Sequence, residues 1–288
     1  MTIPNSKGTN APALKTPAHA CDCHMHIYDD RFARAADAAA LPALATVEEY
    51  RLLQKRIGTS RTVVVTPRNY ADDNRVTLDA IERLGANNTR GVAVVRDDVT
   101  DKTLQELHDG GIRGIRFSLF TPANAAVTFD MVEPLSRRVH ELGWHVQLHW
   151  TADQYIQYEA MVKRLPSTVV IDHMGRMPQP TGIAHPAHKM ICELLDQGKT
   201  WIKLSGPYLD TKVGEAQGYQ DIDEVARSWI DARADRLVWG SDWPHPTEKV
   251  KPDDALLIDL LGRWTQNQDT IRQILVDNPT KLYGFEKI

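Results

Sequence analysis

The amino-acid sequence predicts an α/β fold of one kind, a (β/α)8 TIM barrel in a single domain, and three observations carry that expectation. Eight short runs rich in Val, Ile and Leu alternate with stretches whose apolar residues recur at helical spacing. The chain has 288 residues, 42% of them hydrophobic, and barrels of eight such units routinely reach this length around one core. Several of the runs end in His, Asp or Ser, at the strand ends where barrels build their sites.

The strand runs are read at 20–27, 62–66, 91–95, 114–118, 145–149, 168–172, 201–205 and 237–241. Between the first two, TVEEYRLLQKRIG opens on Thr46 with Glu49 three residues later, a capping box, and stops at Gly58. NRVTLDAIERLG, KTLQELHDGG, MVEPLSRRVHELG and DQYIQYEAMVKRLP follow with helical spacing and Gly or Pro stops. The long Pro- and Gly-rich stretch 175–186 follows the sixth strand, and a loop of that length in a compact domain is more often functional than idle.

Composition narrows the function classes. A net charge of −4 without any Lys/Arg block argues against nucleic acid or an anionic membrane as partner. No apolar run approaches the ~18 residues of a membrane helix. Three cysteines, Cys21, Cys23 and Cys192, are too few and too odd for a disulfide framework and fit a reducing cytoplasm. Residues 1–19 lack the apolar region of a secretory signal and read as a flexible lead-in, with the barrel proper at 20–288. A homo-oligomer is compatible with all of this.

The hexapeptide CDCHMH at 21–26 looks like a metal site. In a strand, side chains alternate. His24 and His26 then share a face with Asp22, while Cys21, Cys23 and Met25 face the other way, packed between barrel and helices. A lone His-x-His is a weak signal, and each polar strand end alone is as well explained by a satisfied buried residue. Together they are harder to dismiss: His149 ends the fifth strand, His173 follows the sixth, and Asp242 follows the eighth with His245 beyond. Three neutral imidazoles and a carboxylate, His24, His26, His149 and Asp242, suit one divalent ion, above all Zn²⁺, with a place left for water.

The rim also offers cations. Arg116 is in phase with Ser118 on the fourth strand, Arg176 opens the long loop, and Lys203 shares its phase with Ser205. An arginine inside a barrel needs an anion, and its fork matches carboxylate or sulfonate. Tyr208, Arg68 and Tyr70 complete the expected substrate contacts. Each of these has an ordinary surface or packing role as its plain alternative. His140, His185 and His188 read as surface residues.

The runs DCHMHIYD, ANNTRGVAVV, LHDGGIRGIRFS, GWHVQLHWTAD, VVIDHMGR, WIKLSGPY, WGSDWPHP and DNPTKLYGF span nearly the whole chain from Ala20 onward. They resemble the amidohydrolase superfamily, in the branch that hydrolyses carboxylated or sulfonated lactones such as 2-pyrone-4,6-dicarboxylate. The resemblance implies the distorted barrel of that superfamily. It implies hydrolysis of the ester of a small anionic lactone, in the catabolism of aromatic compounds or sugar acids. Asp242 would act as general base and His173 would stabilise the oxyanion or orient water. His149 stands where the metal-free pyrone lactonases carry tyrosine, which resembles the metal-binding members instead. The alternatives are a metal-dependent non-oxidative decarboxylase of the same superfamily and a non-catalytic organic-acid-binding barrel.

Overall fold

All eight predicted strands are present in a computed structural model that describes residues 2–36, 38 and 40–287. They are β1 (Cys21–Met25), β2 (Arg61–Val65), β3 (Thr89–Ala93), β4 (Ile112–Ser118), β5 (His145–His149), β6 (Val169–Ile171), β7 (Thr200–Leu204) and β8 (Leu237–Trp239). Each pairs in parallel with its successor, in sequential order. Parallel pairing demands a crossover between consecutive strands. Helices α1 (Val47–Ile57), α2 (Arg75–Leu84), α3 (Asp101–Asp109), α4 (Val132–His140), α5 (Ala152–Gln157), α6 (Glu159–Arg164), α7 (Pro186–Asp196) and α8 (Asp223–Arg233) supply them, and α9 (Asp254–Trp264) follows β8.

Local chemistry sets the helix ends. The Thr46 hydroxyl accepts from the Glu49 amide while the Glu49 carboxylate accepts from the Thr46 amide, and Gly58 closes α1 in the left-handed region at φ 77°. Losing such a cap costs about 1 kcal/mol. DQYIQYEAMVKRLP, read as one helix, is split into α5 and α6 at Tyr158, whose φ is −107° and whose ring stacks on Phe129 at 4.1 Å.

The barrel closes at a seam between β1 and β8. Met25 bridges Trp243, the Asp242 amide donates to the His24 carbonyl at 2.8 Å, and the His26 amide donates to the Trp243 carbonyl at 2.8 Å. The buried Asp22 carboxylate ties the seam from outside, accepting from the Ser241 amide (2.9 Å) and hydroxyl (2.6 Å) and from Tyr50 of α1 (2.9 Å). Gly240 is required there, because a Cβ on it would lie 2.6 Å from that of His24.

The cysteines are not where strict alternation puts them. Three steps along β1, from Asp22 to Met25, match only two along β2, from Thr62 to Val64. This is a β-bulge, and one extra residue resets the facing of everything after it. Asp22, ahead of the bulge, points out toward Tyr50 of α1. Cys21 and Cys23 join Val63, Val65, Val92, Val170, Trp201 and Val238 in a separate apolar cluster that fills the lumen, and past the bulge His24 and His26 also point inward. Tyr283 and Phe285 complete this cluster, and the guanidinium groups of Arg61 and Arg90 stand 5.0 and 4.8 Å from the Phe285 ring. Each fully buried side chain of this size contributes roughly 1.5–3 kcal/mol.

Residues 2–19, expected as a flexible lead-in, run as a bound strap. Ile3 is buried, the Lys7 amide donates to the Pro252 carbonyl, Trp243 donates its indole N–H to the Pro4 carbonyl, and the amides of Ala13 and Leu14 donate to Asp259 of α9. No helix among the described residues is long and apolar enough to cross a membrane.

Candidate active site

The C-terminal ends of the strands surround a cavity of about 670 Å³. His26, Arg68, Arg116, Ser118, His149, His173, Arg176 and Asp242 all line it, together with Tyr28, Phe120, Thr247 and Glu248. His24 lies just beneath, fully buried.

Three acceptor atoms converge at the floor. His26 turns its Nδ1 to the Val65 carbonyl at 2.8 Å, which fixes that nitrogen as the donor and leaves Nε2 with a lone pair. His24 Nδ1 lies 3.3 Å from Asp172 Oδ1 and 3.4 Å from Lys203 Nζ, and when it donates to the carboxylate its Nε2 likewise keeps a lone pair. The two Nε2 atoms are 3.3 Å apart, and each is 3.5 Å from Asp242 Oδ1. Three lone pairs at such separations repel unless a cation or a proton lies among them. A point equidistant from the three is about 2.0 Å from each, the bond length of Zn²⁺ to imidazole nitrogen or carboxylate oxygen. His24, His26 and Asp242 can therefore hold a metal ion.

His149, expected as a fourth ligand, is engaged elsewhere. Its Nδ1 meets the Ser118 hydroxyl at 3.0 Å, and its Nε2 lies 3.1 Å from Arg176 Nη1. A guanidinium N–H occupies the lone pair an ion would need. The cause is the backbone after β6, where His173, Met174, Gly175 and Arg176 all have φ between 48° and 75°. This left-handed turn swings Arg176 back over the rim, where Asp210 grips its Nε (2.8 Å) and Nη2 (3.1 Å) and Phe120 lies beneath at 4.0 Å.

Three further expected substrate contacts are absent from the cavity wall. Lys203 is fully buried one layer lower, donating to the Cys23 carbonyl (2.8 Å) and the Gln147 side-chain oxygen (2.7 Å). Tyr70 is spent on the backbone of Asp29, and Tyr208 donates to Asp242 Oδ2 at 2.6 Å. Alternation along a strand gives the facing of a side chain and says nothing of its depth. Arg116 does reach the cavity. Its Nε donates to Asp172 Oδ2 at 2.9 Å, and no protein partner meets its Nη groups among the described residues. The Arg68 guanidinium likewise has no hydrogen bond or ion pair among the described residues.

Asp172 was missed by sequence reasoning, although it precedes His173 in the DHMGR run. It faces His24, Arg116, Gln147 (3.1 Å) and, at 3.9 Å, Lys203. Tyr28, also missed, follows His26 at the next position of the same phase. His188 is half-buried rather than on the surface, stacked on Trp229 at 4.3 Å.

Electrostatics divide the groups. Burial pushes Asp242 up, but His173, His26 and His24 outweigh it and hold the carboxyl well below the usual range. Asp172 behaves alike, its burial overcome by Arg116, His24 and Lys203. Burial pushes His24 and His149 well down and His173 down to about 4. Near neutral pH the rim thus holds ionised carboxylates beside neutral imidazoles. Burial and then the Asp242 charge push the Tyr208 phenol well up, so it stays a donor.

The model of the family described as Amidohydrolase matches residues 21–285. A 2-pyrone-4,6-dicarboxylate hydrolase of Comamonas testosteroni is 32% identical over 96% of this chain and 94% of its own length. A 4-sulfomuconolactone hydrolase of Hydrogenophaga intermedia is 32% identical over 93% of this chain and 89% of its own. A D-galactarolactone isomerase of Agrobacterium fabrum is 26% identical, covering 96% and 95%.

Proposed function

The chain belongs to the amidohydrolase family, and on that premise we propose that it hydrolyses the ester bond of a small lactone bearing a carboxylate or sulfonate. The observation that carries the reading is the pairing of two halves of one cavity. Asp242 Oδ1 and two imidazole lone pairs meet at its floor, and its wall presents the Arg68 guanidinium and the Nη groups of Arg116, whose Nε is held by Asp172. The relatives named for a pyrone dicarboxylate and a sulfomuconolactone act on lactones of that charge. The catabolism of aromatic compounds or of sugar acids is the setting such a substrate implies. Three unpaired cysteines support a cytoplasmic one.

His24, His26 and Asp242 would hold a divalent ion, with Zn²⁺ the fitting choice for this donor set. When bound, it supplies a Lewis acid that polarises a carbonyl and lowers the pKa of water toward ~7. Arg116, steadied by Asp172, forks onto the substrate's anionic group and sets the carbonyl over the floor. Asp242 takes a proton from the attacking water and returns it to the departing ring oxygen. His173, held through Nδ1 by Ser205 at 2.9 Å, faces the carbonyl oxygen as negative charge develops. The decarboxylase alternative asks for no water at the floor.

The isomerase relative favours one second reading, in which a hydroxyl of the substrate replaces water as nucleophile. Both are tested by incubating metal-replete protein with carboxylated lactones in H₂¹⁸O. Hydrolysis places one ¹⁸O in the new carboxylate, whereas isomerisation yields a shifted ring without label. Equal turnover of neutral lactones would overturn the anionic-substrate reading, and no turnover of any lactone would overturn hydrolysis itself.

A further inference from the structure

We infer that Tyr208, His245 and Asp254 form a positioning chain for Asp242, and that Tyr208 serves this chain rather than the substrate. The inference rests on the lactone-hydrolase reading in so far as Asp242 is the base. Tyr208 is absent from the cavity wall. Its hydroxyl donates to Asp242 Oδ2 at 2.6 Å and lies 3.0 Å from His245 Nδ1. His245 Nε2 faces both carboxylate oxygens of Asp254 at 3.2 Å. His245 and Asp254 are both fully buried.

The chain closes into a ring. The His245 amide donates to the Asp242 carbonyl at 2.8 Å, so Asp242 and His245 are joined through the backbone as well as through Tyr208. Both residues sit in the left-handed region, at φ 63° and 55°, a conformation that non-glycine residues keep only when their surroundings over-determine it. The carboxyl torsion of an aspartate is broad and nearly two-fold. Without the phenol, nothing among the described residues on the Oδ2 side selects which oxygen meets the imidazoles. With it, Oδ1 is left for the floor. The outer end is pinned in turn, since Ser6 of the strap accepts from the Asp254 amide at 3.5 Å and Lys251 Nζ donates to the His245 carbonyl at 2.8 Å.

A buried tyrosine with a hydrogen-bond partner is also an ordinary core residue, so the test must separate positioning from packing. Kinetics on the full chain, per folded molecule, compare wild type, Tyr208→Phe, His245→Gln and the double variant. The expected result is a loss of about 10–100-fold in kcat for Tyr208→Phe with KM within about two-fold. His245→Gln should lose activity alone and add nothing in the Tyr208→Phe background. A raised KM with unchanged kcat would make Tyr208 a substrate contact and overturn the inference, as would losses that multiply. If the wild type turns over no lactone, the hydrolase reading fails separately. The chain is then judged on a crystal structure of Tyr208→Phe, where a displaced Asp242 carboxylate supports it and an unmoved one overturns it.

Discussion

Two carboxylates flank the ring of His24, Asp172 on the Nδ1 side and Asp242 on the Nε2 side, and their surroundings differ in kind. Asp172, fully buried, faces His24, Arg116, Gln147 and Lys203, each a donor or a cation. Asp242 has one oxygen held by Tyr208 and the other turned to two lone pairs at 3.5 Å. The first arrangement is ringed by donors and cations and serves to orient what it touches. The second is complete only when a cation or a proton joins it. One carboxylate is scaffold and the other is reagent, although both lie beside the same imidazole.

The reagent carboxylate is the more sensitive of the two. Asp242→Asn should lose about 10²–10⁴-fold in kcat, measured on protein whose zinc content has been assayed. Near-normal turnover would remove Asp242 from the chemistry. Asp172→Asn should cost less, about 10–100-fold in kcat/KM, and in two ways at once, because His24 and Arg116 share that carboxylate. KM should rise, kcat should fall, and zinc affinity measured by competition with a chelator should weaken. A loss as deep as that of Asp242→Asn would erase the distinction.

Arg116→Met should raise KM by about ten-fold or more with a smaller change in kcat, the signature of lost uniform binding. Arg176→Met should raise it less, because Asp210 and His149 already occupy its Nε and both Nη groups, whereas Arg116 is held at Nε alone. Steady-state kinetics on both variants decide the order. The smallest effect expected is that of pH. Burial holds His173 down to about 4, and Asp242 lies well below the usual carboxylate range. Both would gain protons only as pH falls past those values, so kcat/KM should change by less than about two-fold between pH 7 and 5. An ordinary histidine would titrate near 6.5 and cut activity within that window.

Much of this was legible in the sequence. The eight strands lie within two residues of their expected ends, because barrel strands buried on both faces read as apolar runs. His24, His26, His173, Asp242, Arg68, Arg116, Arg176 and Ser118 reach the rim region for the same reason. What eluded reading has particular causes. No residue type announces the β1 bulge, yet it decides that His24 and His26 face inward along with Cys21 and Cys23. Lys203 has the inward phase but sits a layer too deep for substrate. His149 ends its strand as expected, and only the left-handed turn after β6 brings Arg176 against it. The strap at 2–19 carries no strong periodicity, since its bonds are made to residues far away in the chain.

The seam between β1 and β8 has a consequence for how activity is acquired. Asp22 and Ser241 are 219 positions apart in the chain, so their contact is among the most non-local in the molecule. Contacts of that separation form late, because the entropy of closing so long a loop comes before any reward. The backbone bond from Asp242 to His24 belongs to the same seam. An open sheet with β1 through β7 already paired would hold His24 and His26 in place and still lack its base. In refolding experiments, return of turnover should therefore lag behind return of far-ultraviolet ellipticity, and turnover becomes a direct clock for barrel closure.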